Sequence, residues 1–243
     1  MTLFDNEIPD ILIKICDKEE YAQDVKNGNI YMKEAGYFRK LEENHRGDFY
    51  DGKMPISDKL DIKKHLPNGE VMSFMKDFPG MKLEIYGGID NDDKFPMYCT
   101  SILNENITYY VGPKEFKFKD EYLEEIKHFG KYAVLFNAHE LEYKVCKYLS
   151  ENNLATKGDT VGVFETVSYC DIHKRYTLKD LNNRHSLIQF FNKDLSYQWQ
   201  NECRLLLLNT KLIPEDKDYC ILPLGELETA YITTIDELNN LNL

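Results

Sequence analysis

Phe190-Phe191-Asn192-Lys193-Asp194-Leu195-Ser196-Tyr197-Gln198-Trp199-Gln200-Asn201-Glu202-Cys203-Arg204-Leu205-Leu206-Leu207-Leu208 is a polar, aromatic-rich turn that feeds a continuously apolar segment. The apolar half reads as a buried strand from Glu202 to Asn209. On a strand, residues two apart leave on the same face, so Glu202 and Arg204 share one. Gln200 is expected beside them, next to the chain's single tryptophan, Trp199. Charges entering a buried strand cost free energy unless they are paired or border a cleft. Either Glu202 and Arg204 pair with each other, or a functional site is centred here.

Outward from this strand, short apolar runs alternate with turn signals. Ile8 to Cys16 is apolar, Asp17 to Val25 reads as a short helix, and Asn27-Gly28 is a turn followed by a strand at Asn29–Met32. Gly36 to Glu43 has the length of one or two helical turns, and Arg46 to Gly52 is a polar loop. Lys82 to Tyr86 alternates like a half-buried strand, and Pro96 to Leu103 reads as a core strand. Phe118 to Phe129 is helical in pattern, Tyr132 to Phe136 is a strand, and Ala138 to Glu151 has apolar residues at helical spacing. Thr160 to Tyr169 alternates over its whole length as one strand, and Leu187 to Asn192 reads as helix. Cys220 to Leu224 is an edge strand, because Pro223 removes a ladder donor, and Ala230 to Ile235 is the last strand. The expected fold is α+β: a single domain, residues 1–243, with a mixed or mostly antiparallel sheet and flanking helices. Strands and helices do not alternate regularly and no glycine-rich loop opens a helix, which excludes a dinucleotide-binding doubly wound fold.

An apolar fraction of 42% and an aromatic fraction of 13% are enough for a packed core. The formal net charge of −12 disfavours broad nucleic-acid binding and leaves room for imitation of a nucleic acid by an acidic surface. No apolar run is long enough to span a bilayer, and no basic-then-apolar leader opens the chain, so a cytoplasmic protein is expected. The six cysteines show neither C-x-x-C nor zinc-finger spacing, and the six histidines are scattered, so no metal site is expected. No Gly-x-Ser-x-Gly elbow, Walker loop or His-Glu-x-x-His motif occurs.

Three blocks carry a resemblance. Arg46 to Gly52, then Cys99-Thr100-Ser101, then Lys193, Tyr197, Gln200, Glu202 and Arg204 follow one another in the order of an uncharacterised family of bacterial and phage proteins. That family has an Asn-Asp-Pro-Phe-Glu-like loop, a Cys-Phe-Ser-like strand and a Glu-x-Glu-x-Arg strand, and the chain resembles a divergent member. It also shows a weaker similarity to ADP-ribosyltransferases of the Arg–Ser–Glu type. That similarity implies an NAD-using enzyme of phage defence or anti-defence. Glu202 would be the catalytic carboxylate that stabilises positive charge on the ribose, with Gln200 as its partner. Arg39 or Arg46 would hold the diphosphate, Thr100 and Ser101 would shape the ribose site, and Arg204 and Tyr197 would complete the cofactor contacts. Two further expectations stand beside this. One is a non-enzymatic acidic interaction protein that inhibits a defence or nucleic-acid-handling complex. The other is a protein that binds a nucleotide signal without cleaving it, using the same arginines and the abundant tyrosines. The partner is then a nucleotide ligand or a protein target, with no membrane involved.

Overall fold

In the computed structural model, residues 10–40, 52–55, 63–73, 86–87, 92–112, 115–155, 161–172 and 187–241 are described. In chain order the elements begin with β1 (Ile11–Cys16), α1 (Glu19–Lys26), β2 (Asn29–Glu34) and α2 (Ala35–Lys40). Four very short strands follow as two antiparallel ribbons: β3 (Met54–Pro55) pairs with β6 (Tyr86–Gly87), and β4 (Lys63–His65) with β5 (Val71–Ser73). Then come β7 (Pro96–Ile102), the hairpin β8 (Thr108–Gly112) and β9 (Glu115–Phe118), α3 (Asp120–Ile126), β10 (Tyr132–Asn137) and α4 (Ala138–Glu151). The last part holds β11 (Gly162–Thr166), β12 (Ser168–Cys170), β13 (Asn192–Asp194), β14 (Glu202–Leu207), β15 (Tyr219–Pro223) and β16 (Tyr231–Thr234).

Eight of these strands form one antiparallel sheet in the order β11-β14-β7-β1-β10-β16, with β2 and β15 branching from β7. The architecture is α+β, one domain built on a mostly antiparallel sheet. The sheet forks at β7. One edge of β7 pairs with β14 from Met97 to Ser101. Its other edge pairs with β1 at Ser101 and Ile102, and with β2 at Pro96 and Met97. Between the two branches the Cys99 carbonyl faces a gap. Lys14 fills it, donating from Nζ to that oxygen at 2.7 Å and lying 4.6 Å from the ring centroid of Tyr98. A buried carbonyl without a donor costs on the order of 1–3 kcal/mol, so this lysine holds the fork together.

Strand alternation sorts the core between two faces. Leu12, Tyr98, Ile102, Cys203, Leu205 and Leu207 point to one face, where α1 and α4 supply Ala22, Val25, Leu141, Val145 and Leu149. α4 starts well: its N-cap Asn137 accepts from the Glu140 amide at 3.1 Å. The opposite face carries two smaller clusters. Ile13, Ala133 and Leu135 meet Phe118, Tyr122 and Ile126, while Met97 and Leu206 meet Ala35, Phe190 and Phe191. Covering both faces is why β14 reads as an unbroken run of leucines. The turn at Gly28 is equally tight: its φ is +73° and an added Cβ would lie 1.9 Å from the Gly225 carbonyl oxygen.

Two expectations change. Thr160 to Tyr169 is not one strand; Gly162–Thr166 and Ser168–Cys170 are separate. At Val167 the amide donates to the Glu202 carbonyl, and one residue later Ser168 donates to Phe191. The chain leaves β14 there and takes up β13 in a parallel ribbon, and extended backbone on both sides preserves the alternation. The expected helix at Leu187–Asn192 is only a 3₁₀ turn, Leu187–Phe190, since Asn192 already belongs to β13. Most of the Lys82–Tyr86 strand lies outside the described residues.

Candidate polar centre on the sheet

The junction of turn and strand is set by Asn201, which adopts the left-handed conformation (φ 44°, ψ 54°). Asparagine tolerates this better than most residues because its short amide bonds locally. Here Nδ2 donates to the Ile102 carbonyl and to Asn104 Oδ1, each at 2.8 Å, and Oδ1 accepts from Asn106 at 3.0 Å. The reversal ends the 3₁₀ turn Leu195–Gln200 and starts β14 at Glu202. Gln200 therefore does not share a strand with Glu202, contrary to the spacing argument.

A lysine restores the connection. The Asp194 carboxylate caps the 3₁₀ turn through the Ser196 amide and hydroxyl, at 3.0 and 2.8 Å, which folds the turn back over β13. Lys193 on β13 then donates to Gln200 Oε1 at 2.6 Å and to Glu202 Oε2 at 3.2 Å, with Nζ 4.9 Å from the Tyr197 ring centroid. Arg204 grips the same carboxylate with a fork: Nε donates to Oε1 at 3.0 Å and Nη2 to Oε2 at 3.1 Å. Its Nη1 donates to the Phe190 carbonyl at 2.7 Å. Tyr169 completes the frame, its hydroxyl accepting from the Glu202 amide at 2.8 Å. Glu202 and Lys193 are buried, and Arg204 has no exposed surface.

Burial by itself raises the Glu202 carboxyl, but the charges of Arg204 and then Lys193 outweigh it, and hydrogen bonds from Arg204 and the Cys99 thiol add to them. The carboxyl is held far below the usual carboxylate range and stays ionised. The same environment pushes Cys99 well up, by burial first and by the Glu202 charge second. Burial also raises Cys203 and Cys16, and pushes Cys220 to about 11. Burial therefore favours the thiol form of these four cysteines.

Two of the three sequence blocks meet. Ser101 sits directly opposite Glu202 across the β7–β14 ladder and donates from Oγ to the Gln200 carbonyl at 2.8 Å. Thr100 does not join them. Alternation sends it to the other face, where it donates to the Cys203 carbonyl at 3.2 Å. α2 lies over the same face as Glu202, because Ala35 and Phe38 pack with Met97, Phe190 and Leu206. Arg39 belongs to this helix, but its side chain lies outside the described residues, as does the whole of Arg46. The sequence blocks include Lys193 without a role for it, and Tyr169 is only the end of an expected strand. Lysine after two phenylalanines in a buried stretch was the available signal, since a buried lysine requires an acid.

The arrangement is a polar seam between the two apolar clusters on this face. Lys193 and Arg204 together carry one more charge than Glu202 neutralises. Among the described residues, no group of three or more His, Cys, Asp or Glu is placed to hold a metal ion, and no helix is long and apolar enough to cross a membrane. No family model, curated protein or solved structure matches the chain.

Proposed function

We propose that this chain is a non-enzymatic acidic interaction protein that engages a basic surface of the kind found on defence or nucleic-acid-handling complexes. One observation carries this reading. The acid at the convergence of the sequence blocks is spent inside the fold, gripped by Arg204 at 3.0 and 3.1 Å and by Lys193 at 3.2 Å. A carboxylate so engaged does not turn toward a ribose, and a fully buried Arg204 is out of reach of a diphosphate. Glu202 and Arg204 as placed therefore do not fit NAD. The net charge of −12 then becomes the functional property, since it steers the chain toward positively charged partners.

A competing reading, the ADP-ribosyltransferase-like enzyme, is favoured by the register that sets Ser101 opposite Glu202. Labelled NAD consumption by the wild type and by Ser101→Ala separates the two, because this substitution leaves the ion pairs of Glu202 in place. No turnover by either protein is the expected result. Turnover that Ser101→Ala abolishes replaces the interaction reading with the enzymatic one. The interaction reading also requires reciprocal co-purification with a basic protein that weakens as salt rises.

A further inference from the structure

We draw no further inference here: the strongest candidate, the outer face of the β2–β15 ribbon, where exposed Tyr31 stacks on Tyr219 at 4.9 Å and stands opposite exposed Ile221, is an unpartnered apolar face, and nothing in the structure shows what covers it.

Discussion

Replacing Glu202 by Gln removes the charge and keeps the shape, and it isolates what the carboxylate does for the fold. Two opposite charges about 4 Å apart attract by about 4 kcal/mol at an effective dielectric of about 20. Glu202 has two such partners, Arg204 and Lys193. Desolvation of all three groups offsets much of that gross attraction. The informative quantity is the cost of removing one member, which leaves two buried cations facing each other. Breaking a buried pair in this way costs about 3–5 kcal/mol. For a chain of this size each kcal/mol moves Tm by about 2–4 °C, so Glu202→Gln should unfold about 6–20 °C below wild type. Thermal unfolding followed by circular dichroism measures the shift, and urea denaturation measures the loss in kcal/mol. Replacing Glu202, Arg204 and Lys193 together by Leu, Met and Met should recover most of the loss, because an apolar set of similar volume fits between the two apolar clusters. The pH dependence has a definite sign. The folded carboxyl titrates far below its unfolded value, so its contribution is complete above the ordinary glutamate range and declines as pH falls through and below about 4.5. Glu202→Gln should therefore flatten the acid limb of the stability profile. A variant within about 0.5 kcal/mol of wild type, with an unchanged acid limb, would refute the reasoning and return the carboxylate to the list of groups free for chemistry.

Two further substitutions test how the frame is built. Glu140 accepts from the Glu228 and Thr229 amides and from the Thr229 hydroxyl, tying the start of α4 to the loop before β16. Burial opposes its ionisation, but these hydrogen bonds and Lys144 lower its carboxyl on balance. Glu140→Gln should cost about 1–2 kcal/mol by urea denaturation at neutral pH, and less below the ordinary glutamate range, where the carboxylate advantage is already lost. Asn201 separates conformation from bonding: Asn201→Gly keeps the left-handed backbone and loses the three amide bonds, whereas Asn201→Ala loses both. Alanine should be the more destabilising of the two by about 1 kcal/mol in the same assay, and equal values would remove the left-handed turn from the explanation.

The strands and long helices were legible because their signals are local. α4 runs from Ala138 to Glu151 as its spacing predicts, β7 begins at Pro96, and β15 lies at an edge where Pro223 requires it. Three features were not legible, each for a nonlocal reason. The division of Thr160–Tyr169 depends on a change of hydrogen-bonding partner from β14 to β13, and an extended chain shows no trace of that in its alternation. The fork at β7 depends on Lys14, 85 positions away from the Cys99 carbonyl it caps. Gln200 belongs to a turn because Asn201 reverses the backbone, and that reversal is fixed by Ile102, Asn104 and Asn106. At the site, the spacing placed Glu202 and Arg204 on one face and left open whether they pair; the structure pairs them. The third member, Lys193, followed only once the capped turn brought β13 back over β14.

That third member changes what the centre can do. A lone Glu–Arg pair on a strand leaves one side of the carboxylate available, and a ligand that brings its own charge can compete for it. With Lys193 added, each carboxylate oxygen has a cationic donor, Oε1 from Arg204 and Oε2 from both cations. The Cys99 thiol adds a further bond. A substrate would have to break these contacts inside a seam flanked by Tyr122 on one side and Phe190 on the other, both buried. Breaking a buried ion pair costs about 3–5 kcal/mol, which is the barrier any ligand of this carboxylate would face. The same network does suit a fastener. It joins β13 and the capped turn to the centre of the sheet and fixes the covering layer over β7 and β14.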